Sequence, residues 1–131
     1  KYWKLIKFSM SQKKVIDVSD LPKGGPYSHA VVSGNLVFVS GQTGHVPDKK
    51  TGFSDQFNIA MEKIRKILQQ AGSSLDNILK TTVYIADARY FKELNDLYGK
   101  FFKSSPPART TIVSGFVADD VLVEIDVIAS I

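Results

Sequence analysis

Two stretches of the chain repeat hydrophobic residues at intervals of three and four, and this spacing predicts two amphipathic helices. The stripe of the first helix consists of Phe57, Ala60, Met61, Ile64, Ile67, Leu68 and Ala71. Ser54 is expected to cap the start of this helix, and Gly72 to end it in the left-handed conformation. The second helix is expected over 88–102, before Pro106 and Pro107. Its stripe consists of Phe91, Leu94, Leu97, Tyr98, Phe101 and Phe102.

The other hydrophobic segments are short and rich in β-branched residues, which is typical of strands. They are 15–18, 30–32, 36–40, 79–85, 109–114 and 121–128. Ser33-Gly34-Asn35 separates two of these segments and predicts a tight hairpin. Two glycine- and proline-rich loops are expected, at 21–26 and 41–52. Within 79–85, one face is expected to carry Leu79, Thr81, Val83 and Ile85.

The last predicted strand alternates strictly between two sets of side chains. One face carries Val121, Val123, Ile125 and Val127, and the other carries Leu122, Glu124, Asp126 and Ile128. Because both faces are partly apolar, both are expected to be covered. A carboxylate in the middle of such a strand, such as Glu124, needs a polar partner or water, because burying an unpaired charge is very costly.

The order of predicted elements is β-β-β-α-β-α-β-β, which indicates a single α+β domain. Since each helix lies between two strands, both helices can pack on one face of a single mixed β-sheet. Two helices leave the other face of that sheet open. A second subunit is the simplest cover for it, so the sequence predicts an oligomer.

Residues 1–9 differ from the rest of the chain and precede the first methionine, Met10. We expect them to be a tag or extension outside the fold, and 10–131 to form the domain. Lys1, Lys4 and Lys7 supply three of the four net positive charges, which leaves a net charge of +1 on 10–131. No basic stripe is present, so nucleic-acid binding is not expected. The first nine residues are too short and too charged to span a membrane.

Composition excludes several kinds of chemistry. The chain has no cysteine, which rules out disulfides, thiolate metal sites and cysteine nucleophiles. The two histidines, His29 and His45, are not spaced as a metal pair and are expected to be structural or exposed. No phosphate loop, dinucleotide fingerprint or Ser/His/Asp set is recognisable. We therefore expect neither a metal nor an organic cofactor.

Four residues stand out as candidates for chemistry, and each also has a structural interpretation. Arg109 follows a stiff Pro-Pro-Ala approach and can clamp a carboxylate, or it can form an ordinary surface ion pair. Glu124 can hold a water or move a proton, or it can be a structural partner for Arg109 or a backbone donor. Tyr27 can offer its hydroxyl to a ligand or anchor a loop with its ring in the core. Gly41 can admit a ligand to the backbone or serve as a turn glycine.

Seven segments, in this order and at this spacing, resemble the RidA/YjgF reactive intermediate deaminase family over 15–128. They are Gly25-Pro26-Tyr27-Ser28, Val37-Phe38-Val39-Ser40-Gly41-Gln42, Ile67-Leu68-Gln69-Gln70-Ala71-Gly72, Lys80-Thr81-Thr82-Val83-Tyr84-Ile85, 91–98 around Asn95, Pro107-Ala108-Arg109, and Val123-Glu124-Ile125-Asp126-Val127-Ile128-Ala129. The resemblance implies a chorismate-mutase-like fold, a homotrimer and sites in clefts between subunits. It also implies that Arg109 binds the substrate carboxylate and that Glu124 positions the hydrolytic water. The resemblance further implies that Tyr27, Ser40, Gly41, Asn95 and Thr111 are substrate-binding positions.

The resemblance implies hydrolysis of 2-imino acids and their enamine tautomers, such as 2-iminobutanoate and 2-iminopropanoate, to 2-oxo acids and ammonia. A cytoplasmic location is expected. The chain departs from the family pattern at Thr43-Gly44, at Phe116-Val117-Ala118, at His29 and at Thr111, where many members have cysteine. Two alternatives remain: a non-catalytic trimer that binds 2-oxo acids, and an RNA-directed translation inhibitor or ribonuclease.

Overall fold

A computed structural model describes residues 12–131, so the predicted tag at 1–9 lies outside the described residues. Six strands are present: β1 (Lys14–Ile16), β2 (Ala30–Ser33), β3 (Leu36–Thr43), β4 (Ile78–Ile85), β5 (Ala108–Val113) and β6 (Val123–Ser130). The two α-helices are α1 (Phe53–Gln70) and α2 (Phe91–Phe101), and 3-10 turns cover Leu75–Asn77 and Ala88–Tyr90. The predicted order of strands and helices is confirmed.

All six strands form one mixed sheet in the order β1-β2-β3-β6-β4-β5. Every neighbouring pair is antiparallel except β4 and β5, which are parallel and joined through α2. The last strand of the sequence therefore lies in the middle of the sheet, between β3 and β4. Side chains on β6 consequently have neighbours on both sides, whereas β5 is an edge strand.

One face of the sheet and the stripe of α1 form the hydrophobic core. Fully buried residues of the helix face the alternating buried residues of the central strands: Phe57, Met61, Ile64, Leu68, Val37, Val39, Val83, Val123, Ile125 and Val127. Burying each large apolar side chain stabilises the fold by roughly 1.5–3 kcal/mol. This packing confirms the prediction of two helices on a mixed sheet and fixes the direction in which alternate residues of β6 point.

The second helix is less buried than its stripe predicts. Among the six stripe residues only Leu94 and Tyr98 are buried, while Phe91 and Phe101 are largely exposed. The helix lies towards the β5 edge of the sheet, where Tyr98 reaches Thr81 of β4 and Asn95 reaches Arg109 of β5. The helix is also shorter than predicted, because its first turn is the 3-10 turn that ends at Tyr90.

Two local predictions were wrong. Ser54 does not cap α1, because the helix begins at Phe53 and its N-cap is Gly52, without a side-chain cap. Leu79 does not lie on the core face, because the pairing of β4 with β6 shifts register between Ile78 and Lys80. That shift leaves Leu79 exposed on about half of its surface.

The predicted end of α1 is confirmed. Gly72 has φ +85°, and its N–H donates to the Gln69 carbonyl while the Ser73 N–H donates to the Leu68 carbonyl. These two bonds satisfy carbonyls at the end of the helix, and only glycine adopts this left-handed conformation without strain.

Neither helix covers the second face of the sheet, and its central residues are only partly buried. Phe38 is 43% exposed there, opposite the half-buried Ile128, and Glu124 and Asp126 lie on the same face. Its cover by another subunit stays a prediction. Within 12–131, neither helix is long and apolar enough to cross a membrane.

Candidate functional site

Glu124 lies on the open face of β6, with Thr43 of β3 and Tyr84 of β4 as its neighbours in register. The backbone of β3 comes very close at Gly41, since the pairing of β3 with β6 is irregular between Val39 and Gln42. A Cβ on Gly41 would lie 2.3 Å from Oε2 of Glu124. Gly41 is therefore required to leave space for the carboxylate, and it lies within a strand rather than a turn.

Four of the predicted site residues meet in one cavity, which is lined by Tyr27, Ser40, Gly41 and Glu124. Tyr27 is 44% exposed, so its ring does not anchor the loop in the core. Its hydroxyl accepts a 2.9 Å hydrogen bond from the Gly24 N–H. The Ser40 hydroxyl donates a 2.7 Å bond to the Ser28 carbonyl. These bonds hold the loop that carries Tyr27 along β3.

The environment of Glu124 suits proton transfer. Burial raises the pKa of its carboxyl, and the negative charge of Asp126 on the same face adds to this shift. Asp126 itself accepts a 3.0 Å hydrogen bond from the Tyr84 hydroxyl. No donor within 12–131 contributes to the pKa of the Glu124 carboxyl. A carboxylate of raised pKa without a fixed partner can accept a proton from a bound water.

Arg109 lies on the other face of the sheet. It pairs in register with Thr81, whose hydroxyl bonds to that of Tyr98, so its side chain points towards α2. Its Nη2 donates a 2.8 Å hydrogen bond to Oδ1 of Asn95. The guanidinium carbon lies 4.8 Å from the ring centre of Tyr98 and 5.7 Å from that of Phe91. An amide and two aromatic rings thus hold the guanidinium on the edge strand.

Two further predicted substrate-binding positions, Asn95 and Thr111, lie on the same side as Arg109. Asn95 bonds to it directly, and Thr111 follows two residues later on the same strand, in register with Val83. The Thr111 hydroxyl is shielded from solvent and has no hydrogen-bond partner among the described residues. No carboxylate within 12–131 forms an ion pair with Arg109, so the surface ion pair considered from sequence is not observed.

The predicted site is thus divided into two halves in one copy of the chain. The half around Glu124 lies on the open face, and the half around Arg109 lies on the helix face at the β5 edge. The sheet separates them, so Glu124 is not a structural partner of Arg109 within one chain.

Sequence reasoning missed three polar residues near Glu124. His45 and Lys63 line the Glu124 cavity, and Asp120 lies 2.9 Å from Nε2 of His45. They come from two loops and from α1, and no spacing in the sequence links them. The departure from the family pattern at Thr43-Gly44 is the one sequence signal that points to this region. His29, by contrast, is buried and its Nδ1 accepts a 2.9 Å bond from the Val18 N–H.

This fold, with two helices on a mixed sheet, is shared with known proteins. The model of the Endoribonuclease L-PSP family, which is the RidA/YjgF family, matches residues 19–131. The chain belongs to this family, which includes reactive intermediate deaminases. The resemblance noted from the sequence is thereby confirmed.

Relatives and solved structures agree with this assignment. A RutC family protein of Pyrococcus horikoshii is 40% identical over 125 residues, which cover 89% of this chain and 97% of the relative. The chloroplastic Reactive Intermediate Deaminase A of Arabidopsis thaliana is 32% identical, over 94% of this chain and 68% of the relative. The crystal structure of yeast Mmf1 has a TM-score of 0.82 at 32% identity, covering 91% of this chain and 98% of that one. That of E. coli TdcF with bound serine has a TM-score of 0.81 at 32% identity, covering 90% and 98%.

Proposed function

We propose that this protein hydrolyses reactive 2-imino acids and their enamine tautomers, such as 2-iminobutanoate and 2-iminopropanoate, to 2-oxo acids and ammonia. One observation carries the proposal: a carboxylate of raised pKa lines a cavity on one side of the sheet, and a guanidinium without a carboxylate partner in the described chain is fixed on the other. The relative named Reactive Intermediate Deaminase A supports the reaction class.

The half-site around Arg109 suits a carboxylate. A guanidinium presents two parallel N–H groups to a carboxylate, and Asn95 occupies only one of its nitrogens. The aromatic rings of Tyr98 and Phe91 restrict the side chain, which reduces the entropy lost on binding. The serine bound in the TdcF crystal structure is itself an amino acid with an α-carboxylate, which supports a ligand of this class.

The half-site around Glu124 suits the attacking water. The imine carbon is already electrophilic, so the protein must orient the substrate, place the water and accept its proton. Glu124 provides the base, and Ser40 and Tyr27 provide hydroxyls in the same cavity. This chemistry requires no metal or organic cofactor.

We further propose a homotrimer in which one subunit contributes Arg109 and its neighbour contributes Glu124. Because the sheet separates the two residues, a site that uses both must take them from different copies. The exposed second face of the sheet, which includes Phe38, supplies the apolar surface for such contacts. We also propose a cytoplasmic location, as expected from the sequence.

Semicarbazide competition tests the function. Threonine dehydratase or an amino-acid oxidase generates the imine, and semicarbazide traps what the protein has not hydrolysed. The wild type is expected to lower the trapping rate, and Arg109→Ala to lose this effect. Arg89→Ala is the matched control, because Arg89 also lies over a tyrosine ring, 5.2 Å from the centre of Tyr90.

The outcomes separate the deaminase from two other candidates. If the wild type leaves trapping unchanged for several amino acids but binds 2-oxobutanoate through Arg109, the protein is a non-catalytic binding module.

The family description supports RNA cleavage as a second activity. A net charge of +1 outside the first nine residues argues against RNA binding, and a steep loss of RNA affinity with added salt would overturn that argument.

A further inference from the structure

We infer that His45, oriented by Asp120, is a second proton-transfer residue of the proposed reaction. Its side chain lines the same cavity as Glu124, Tyr27 and Thr43. This inference rests on the proposed function and adds a catalytic residue to it.

His45 and Asp120 form a pair that orients an imidazole. Nε2 of His45 lies 2.9 Å from Oδ1 of Asp120, which is ion-pair distance when the imidazole is protonated. The other nitrogen, Nδ1, has no hydrogen-bond partner among residues 12–131 and is left for a substrate. A carboxylate behind an imidazole fixes its orientation and stabilises its protonated form. The His45 side chain is 23% exposed, so ligands and protons can still reach it.

Gln56 of α1 holds both loops that carry the pair. A Cβ on Gly44 would lie 2.0 Å from the backbone oxygen of Gln56, so the residue before His45 packs directly on the helix. The buried Gln56 side chain donates a 2.9 Å bond to the Asp120 carbonyl and accepts one of 2.9 Å from the Leu122 N–H. One helical residue thus fixes two loops that are far apart in sequence. The positions of His45 and Asp120 are therefore set by the packing of the fold.

The charges around His45 are mixed. Besides Asp120, the cavity contains Glu124, the hydroxyl of Tyr27 and the ammonium groups of Lys63 and Lys23. Lys63 donates a 2.8 Å bond to the Thr43 carbonyl, and burial lowers its pKa. Lys23 is paired with Asp17 at 3.0 Å. Glu124 has no ion-pair partner in the described chain, so it serves as the base in this cavity. His45, which is paired with the Asp120 carboxylate, serves as the acid.

The two residues divide the proton transfers. In the addition step the water oxygen bonds to the imine carbon, Glu124 takes a water proton, and the C=N π electrons move to nitrogen, which takes a proton from the His45 imidazolium. In the collapse step the Glu124 carboxyl protonates the amine. The C–N bond then breaks with its electron pair on nitrogen, C=O forms, and His45 takes the hydroxyl proton. Imine and water become 2-oxo acid and ammonia, and both residues return to their starting states.

The test is the pH dependence of kcat/KM for imine hydrolysis, corrected for the uncatalysed rate. Histidine is the side chain that ordinarily changes charge between about pH 5 and 8. A general acid that must be protonated gives the wild type an alkaline limb, along which activity falls as the pH rises. His45→Gln is expected to lower kcat/KM roughly 100-fold at the optimum and to lose that alkaline limb. Asp120→Asn is expected to lower kcat/KM, because the imidazole loses the carboxylate that lies beside it.

Two controls separate a catalytic role from a structural one. Asp119→Asn removes an exposed charge next to Asp120 and is expected to match the wild type. His45→Ala is expected to regain activity in proportion to added imidazole, which a purely structural residue would not show. If His45→Gln keeps the wild-type rate and alkaline limb, the inference is wrong while the deaminase proposal stands. If the wild type hydrolyses no imine, both are wrong.

Discussion

Arg109 and Glu124 lie on opposite faces of one β-sheet. Arg109 follows the face of Thr81 and Val127, which is the face covered by the helices, whereas Glu124 lies between Thr43 and Tyr84 on the open face. Side chains alternate across a strand, so no change of rotamer brings these two groups together within one chain. Any chemistry that uses both requires two copies of the protein.

Mixing two inactive variants tests this arrangement. Arg109→Ala and Glu124→Gln are each expected to be inactive alone, because each removes one half of every site. In a ring of three built from an equal mixture of both, random assembly restores about a quarter of the sites. Unfolding and refolding the variants together, followed by the imine assay, is expected to recover that fraction of wild-type activity. Refolding each variant alone is the control, and no recovery in the mixture would show that the site is not shared.

Two neighbouring glycines are expected to respond differently to alanine. In Gly41→Ala the new Cβ meets the flexible Glu124 carboxylate, so activity should fall about 100-fold with little change in the melting temperature. In Gly44→Ala it meets the backbone of Gln56, so stability should fall by about 1–3 kcal/mol. Thermal unfolding and the imine assay measure both effects. Gly99→Ala, with open space in α2, should be slightly more stable than the wild type.

The raised pKa of Glu124 predicts a trade-off between stability and activity. Its folded-state pKa lies above the ordinary value, so the folded protein binds this proton more tightly than the unfolded chain. The stability that the protonated Glu124 carboxyl contributes is fully present below the pKa of the unfolded chain. It is lost as the pH rises through the higher pKa of the folded state. Glu124→Gln is therefore expected to melt higher than the wild type at pH 7, with the gap closing by pH 3.5. Glu93→Gln, an exposed control, should show no such gap, and an equal gap in both variants would contradict the prediction.

The hydroxyls of Thr81 and Tyr98 form a buried hydrogen bond of 2.8 Å that joins β4 to α2. Tyr98→Phe leaves the fully buried Thr81 hydroxyl without this partner, so stability is expected to fall by about 1–3 kcal/mol. Adding Thr81→Val should recover part of the loss, because the unsatisfied hydroxyl is then removed. Denaturant unfolding of the four proteins of this double-mutant cycle measures the coupling. Strictly additive losses would show that the bond does not stabilise the fold.

The hydrophobic pattern predicted most of the fold because the helices and strands bury one face each. The stripe of α1 and the alternation along β6 are long, regular and buried as expected. The failures lie where tertiary contacts override the local pattern. A register shift turns Leu79 out of the core, and the edge position of α2 leaves Phe91 exposed. Neither feature has a signature in the order of residues.

The candidate site was predicted only in part. Tyr27, Ser40, Gly41 and Glu124 do meet in one cavity, and Asn95 does contact Arg109. The resemblance to a family named these positions, but a pattern of residues does not tell which face of a sheet each one occupies. His45 and Asp120 were missed because residues 75 positions apart meet only when both loops pack on Gln56.

The sequence by itself determined the family, the order of elements, the helix that covers the sheet and the identity of the charged groups, since these depend on local periodicity and on motifs. Only the tertiary structure decided that Arg109 and Glu124 face away from each other and that His45 joins the Glu124 cavity. The physical reason is that strand pairing and loop packing are set by contacts between distant residues. Those contacts form when the whole core is buried, and no short segment of the sequence encodes them.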